Sequence, residues 1–176
     1  MKLKLIAIPL LATAALLTGC AQPQASAPDD PAVSPSFDLA QFEGTTTING
    51  TVPEGVMAPL VDVVSLLDIT TSGGDHLIVT RGVRLPGTRV GIHVHQWGGY
   101  TCVESGTITD FVEGMEPSVH PAGTCYYMPA NTLMSAANLG TEPAVLVDNF
   151  AIPQGEVPID VVEPGWDEAV AAVAKN

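Results

Sequence analysis

Short apolar stretches separated by turn residues recur along the middle of the chain, and their spacing predicts strands rather than helices. Leu60 to Ile69 is rich in Val and Leu, Ser72-Gly73-Gly74-Asp75 reads as a turn, and His76 to Leu85 alternates until Pro86-Gly87 breaks it. Val90 to His95, Tyr100 to Val103, Thr107 to Val112, Thr124 to Met128, Leu133 to Ala137 and Ala144 to Phe150 continue the series. Many short strands with almost no helical periodicity predict a barrel or sandwich of two sheets. Within Tyr126-Tyr127, strand parity places one ring on each face. Only Gly165 to Lys175 has a helical pattern, with an acidic start and a basic end that complement the helix dipole, and Trp166 is placed to pin it to the barrel.

The amino terminus follows a different pattern. Met1-Lys2-Leu3-Lys4 is basic, Leu5 to Leu17 is apolar but too short to span a bilayer comfortably, and Leu17-Thr18-Gly19-Cys20 resembles the lipobox of bacterial lipoprotein signal peptides. That resemblance implies cleavage before Cys20, lipidation of its thiol, and an extracytoplasmic protein anchored to a bacterial membrane, at the outer membrane or cell surface. From Ala21 to about Ser36 the chain is rich in Pro, Ala, Ser, Gln and Asp without apolar periodicity, as expected of a flexible spacer. The expected organisation is a signal peptide over 1–19, a tether over 20–44, one barrel domain over 45–160 and a helical tail over 161–176.

Within the barrel region the most chemically suggestive residues are His93-Val94-His95. Side chains two apart on a strand share a face, so both imidazoles can point at one spot. Gly87, five residues, His93, His95 and Gly106, followed by Gly123, Pro129 and Asn138, resemble the two sequence motifs of the cupin family. Gly99 stands where the first motif carries a glutamate, Asn131 where the second carries a glycine, and Met134 where it carries a histidine. The resemblance covers about residues 45 to 155 and implies an all-β fold, a cupin-type double-stranded β-helix or jelly-roll barrel with a short C-terminal helix. It also implies that His93, His95 and Met134 converge inside the barrel; Thr101 and Asn138 are further pocket candidates, and Trp97, just after the motif, lines the cavity entrance or covers an edge.

Ligand chemistry narrows what such a site can hold. An oxygen-activating iron triad needs two histidines and a carboxylate, which Gly99 does not supply, and Glu104 lies an odd number of residues away on the opposite face. Two imidazoles with a thioether suit copper, zinc or nickel better than magnesium or calcium, whereas a Met134 that merely fills space leaves an apolar cavity with two polar rings, suited to a small organic ligand and no metal. The thiols fit this frame. With Cys20 assigned to lipid, Cys102 and Cys125 remain, and the jelly-roll topology implied by the resemblance makes their strands neighbours, so a disulfide is expected; the alternative is a pair of thiols packed in the core.

Charge then removes one class of function. The chain has 6 Lys and Arg against 19 Asp and Glu, and loss of the leader removes Lys2 and Lys4, so nucleic acid is excluded as a partner. Arg81, Arg84 and Arg89 cluster just before His93, where one of them could meet an anionic ligand or all could pair with surface acids. His76 and His120 sit beside turns and are expected to be solvated, and Asn49-Gly50-Thr51 reads as a turn. The expected function is a membrane-anchored module binding a small ligand or metal ion, with a homodimer as a further expectation. A metal-dependent oxidoreductase or isomerase using His93 and His95 and an interaction domain with a degenerate pocket are the rivals.

Overall fold

The computed structural model describes residues 37–174, so the leader, Cys20 and the greater part of the tether lie outside the described residues. The elements are a short 3-10 turn (Leu39–Gln41), strands β1 (Val56–Met57), β2 (Val61–Thr70), β3 (Asp75–Arg84), β4 (Thr88–Arg89), β5 (His93–Val94), β6 (Gly99–Ser105), β7 (Thr107–Val112), β8 (Ser118–Pro121), β9 (Cys125–Met128), β10 (Met134–Ala137), β11 (Ala144–Pro153) and β12 (Asp160–Val161), and helix α1 (Trp166–Val173). Among the described residues no helix is long and apolar enough to cross a membrane.

The strands form two sheets that face each other across one core. One runs β2-β3-β11-β6-β9; the other runs β1-β4-β10-β5-β12, with β7 joined to β10 and β8 to β7. Sequence neighbours switch sheets repeatedly, as β6 and β7 do across the Ser105–Gly106 corner, and that crossing pattern makes the fold an all-β double-stranded β-helix barrel. The corner needs glycine: Gly106 has φ +75°, and a Cβ there would lie 2.7 Å from the Ala144 backbone.

Inward residues alternate along β6, β7 and β9. On β7, Ile108, Asp110 and Val112 are buried, and on β6 and β11, Val103 and Leu146 are buried with Ile108, Val112, Met128 and Met134 in the main apolar cluster. Trp166 of α1 packs against this cluster, as its position predicted. A second cluster of Ile48, Ile92 and Val162 is covered by Leu39 and Phe42, so the packed domain begins before residue 45. Similarly, Val161 pairs with His93 on β5, so the barrel extends beyond residue 160 into the segment read as tail.

Two features depart from the sequence pattern for identifiable reasons. Of the single strand expected over Val90–His95 only His93–Val94 is strand (β5), with His95 in an isolated bridge; before it, the Ile92 N–H donates to the Glu163 carboxylate at 2.8 Å instead of to a strand. β2 is apolar yet lies at a sheet edge, and bulges at Val61/Val64 and Ser65/Leu67 leave Val63, Val64, Leu66 and Ile69 about half exposed. On the outside of the barrel, Cys102 and Cys125 stand directly opposite each other on β6 and β9 and are joined by a disulfide. Their neighbours Thr101 and Tyr126 point inward, and Tyr127 points out.

Candidate ligand cavity and imidazole pair

His93 lies on β5 and His95 just beyond it, where an isolated bridge to Ala130 and the Asn131 N–H donating to the His95 carbonyl at 2.8 Å hold the backbone. Asn131 has φ +55°, a conformation asparagine tolerates, which explains how it replaces the glycine of the motif. Both rings are buried, at 3% and 2% exposure, and meet edge to face.

Their hydrogen bonds fix the chemistry. His93 Nδ1 lies 2.8 Å from the Gly91 carbonyl and His95 Nδ1 lies 2.6 Å from the Pro158 carbonyl. A carbonyl accepts only, so we assign an Nδ1–H donor to each ring, the usual arrangement behind an imidazole that ligates through its other nitrogen. Both Nε2 atoms then carry lone pairs, and they lie 3.1 Å apart. Burial and the neighbouring His95 hold His93 well below its ordinary range, and burial likewise lowers His95, so both rings are neutral at pH 7. Two facing lone pairs repel, and a cation between them removes the repulsion.

Met134 is the register partner of His93 on β10, is 1% exposed, and faces the same cavity. The structure therefore places all three expected residues on the lining of one cavity. Gly99 also faces inward, opposite Met128, but a Cβ there would lie 2.7 Å from the Phe150 ring, which itself packs 5.3 Å from the His95 ring centroid. A phenyl group occupies the place a carboxylate side chain would need. Among the described residues no three His, Cys, Asp or Glu side chains are grouped to hold a metal.

The imidazole pair opens on a cavity of about 290 Å³, mostly apolar, between the two sheets. Thr101 lines it, as expected, and donates to Asp148 Oδ1 at 2.6 Å. Asn138 and Trp97 do not line it. Asn138 follows β10 and is fully buried, but its amide donates to the Arg84 and Glu142 carbonyls and its oxygen accepts from the Gly140 N–H, so it ties a loop away from the cavity. Trp97 is 43% exposed and lies with Tyr100 and Tyr127 in a shallow groove on the outer face.

The three arginines take separate roles. Arg81 pairs on the surface with Glu104 at 2.7 Å, and buried Arg89 pairs with both oxygens of Glu163 at 2.6 and 2.7 Å. Arg84 lines the cavity, donates from Nη1 to the Ala58 carbonyl, and leaves Nε without a partner. Burial pulls its pKa down to about 10. Asp148 also faces the cavity, and burial raises its pKa against the lowering effects of Thr101 and Arg84. Asp148 was legible as an acidic residue at an inward position of the Ala144–Phe150 strand, between apolar Leu146 and Phe150, although it was not singled out. His76 and His120 are less free than expected: His76 Nε2 meets Asp68 at 2.6 Å, and His120 stacks on Tyr126 with centroids 4.6 Å apart. Asn49, at φ +51°, is a turn residue whose side chain braces residues 112–115.

No protein-family model matches the chain, and no curated protein does. Solved structures that resemble it include an uncharacterized conserved protein with a double-stranded β-helix domain from Klebsiella pneumoniae, at 20% identity over 74% of this chain and 98% of that one, with a TM-score of 0.48. A cupin-like protein from Thermotoga maritima matches at 16% identity over 67% and 95% of the two chains, with a TM-score of 0.46. An RmlC-like cupin family protein from Methanocaldococcus jannaschii matches at 18% identity over 57% and 90%, with a TM-score of 0.45. Each is a likeness of strand arrangement at low identity and says nothing of activity.

Proposed function

We propose that this protein is a lipid-anchored, extracytoplasmic barrel that binds a borderline or soft metal ion at His93 and His95 and presents it to a small ligand in the cavity. The observation that carries the reading is the pair of neutral Nε2 atoms 3.1 Å apart, each backed by a carbonyl on its Nδ1–H. Copper, zinc or nickel fits two imidazoles beside a thioether. The donor set does not fit an oxygen-activating iron centre, because Phe150 fills the space beside Gly99. Supplied there, the ion would act as a Lewis acid toward a ligand in the cavity, while His93 and His95 hold it and the apolar walls exclude water.

The test uses the mature chain stripped with a chelator and titrated with zinc and with Cu(I). One equivalent of either ion should bind, and His93→Ala and His95→Ala should each weaken binding at least about tenfold. Wild-type affinity no greater than that of the double variant would refute the metal reading. Anchoring is tested separately: Cys20→Ser should release the protein from membranes or leave its precursor unprocessed, and a native amino terminus that is unmodified and downstream of Cys20 would refute it.

A further inference from the structure

Arg84 is a buried cation with an unfinished hydrogen-bond set. The residue is 4% exposed, Nη1 is spent on the Ala58 carbonyl, and Nε donates to nothing; Arg89 Nε is likewise without a partner, but Arg89 has Glu163 and Arg84 has no paired acid. No acid lies within ion-pair distance of it: among the described residues the ion pairs are His76–Asp68, Arg81–Glu104 and Arg89–Glu163. The edge left over, Nε with Nη2, is the side-on face through which a guanidinium grips both oxygens of one carboxylate. Asp148, the acid nearest in effect, has its Oδ1 engaged by the Thr101 hydroxyl.

The surroundings of this edge point to the rest of the ligand. Arg84 lines the same cavity as His93 and His95, and its charge is felt by His93, Asp148 and Tyr126. Leu60, Val63, Ile78, Leu146, Phe150 and Trp166 supply apolar wall around these polar groups. A cavity of about 290 Å³ stands at the lower end of the volumes that hold small organic molecules. We infer that the barrel takes a small organic acid with an apolar body, its carboxylate held side-on by Arg84 and its body lying toward the imidazole pair. This rests on the reading of the cavity as a ligand site but not on a metal being present, because the recognition element is Arg84 and not His93 or His95.

The experiment is calorimetry on the mature chain, chelator-treated and zinc-loaded, at pH 7. The probes are sodium acetate, butyrate, hexanoate and benzoate, each beside its primary amide, which keeps the shape and removes the charge. At least one acid should bind at least about tenfold more tightly than its amide, since a site built around a buried charge discriminates strongly against a ligand that leaves it unpaired. Arg84→Gln should bring acid and amide to equal affinity, and Arg84→Lys should keep part of the preference. In wild-type protein the Arg84 Nε–H resonance should shift with the acid and not with the amide, which keeps the inference open to refutation if the variants fail to fold. Equal affinity for every acid and amide, no binding of any acid, or an acid preference that survives Arg84→Gln would overturn it. Zinc binding without an acid preference would overturn this inference alone, and an acid preference without zinc binding would overturn the metal reading alone.

Discussion

Arg89 and Arg84 are two guanidinium groups at equal burial, each 4% exposed, and they differ in their partners. Arg89 faces Glu163, which receives both ends of the fork and also the Ile92 N–H. Burial pushes the Glu163 carboxyl up, but Arg89 and that N–H outweigh it and hold the group below its ordinary value. The pair clasps the segment after β12 to β4, and the Ile92 N–H ties the same carboxylate to the residue just before β5. Arg84 has one carbonyl and a cavity. Nε lacks a partner in both, so the difference lies in the counter-charge: a buried guanidinium paired with a carboxylate of the chain is a structural joint, while one with no acid paired to it beside a cavity marks where something else supplies the acid.

The largest effect should come from breaking the completed joint. Arg89→Met leaves Glu163 buried and unpaired and should cost about 3–5 kcal/mol in denaturant unfolding. A loss below 1 kcal/mol would erase the contrast with Arg84.

Asp110 gives a second case of an incomplete buried charge, without a cavity. Its Oδ1 has no partner, and burial raises its pKa from 3.8 to about 7. A carboxyl whose folded pKa is raised favours the fold fully below its unfolded pKa, and that contribution is lost as pH rises through the folded value. Stability should therefore fall between about pH 4 and pH 7, by up to about 4 kcal/mol for this group. Asp110→Asn should flatten that part of the profile; an unchanged slope would remove the assignment.

The disulfide sharpens the comparison from outside the barrel. Cys102 and Cys125 close a 23-residue separation and brace the strands bearing Thr101 and Tyr126, so Cys102→Ala with Cys125→Ala should cost about 3 kcal/mol. Acid-over-amide preference should survive this change, because no ligand-facing group is touched.

Much of this was legible in the sequence. β3 followed from apolar alternation and β2 from a run rich in Val and Leu, and the His93–His95 parity followed from the two-residue period of a strand. The two-residue strands Val56–Met57 and Asp160–Val161 were not legible, since a repeat that short carries no periodicity. Trp97 and Asn138 were misplaced for a related reason: both sit just outside strands, in a loop before β6 and a turn after β10, where parity cannot be counted. Arg84, Arg89 and Arg81 were legible as a group but not as three roles, because their partners Glu163 and Glu104 and the Ala58 carbonyl come from distant positions.

Smaller effects follow at the ligand end. Met134→His, opposite His93 on the same face, should supply a third nitrogen and raise zinc affinity at least about tenfold. No gain would place the residue 134 side chain away from the shared ion. Arg84→Met should change stability by no more than about 1 kcal/mol in either direction, because an incompletely paired buried charge gives way to a packed apolar side chain at little cost.

The central claim is that the two imidazoles present paired, unprotonated Nε2 atoms, and nitrogen-15 NMR of the histidine rings reads this most directly. In chelator-treated protein at pH 7, His93 and His95 should both be neutral Nδ1–H tautomers, and one equivalent of zinc should shift both Nε2 resonances and leave both Nδ1–H groups in place. A proton found on Nε2 of either ring, or Nε2 signals that ignore the ion, would contradict the account.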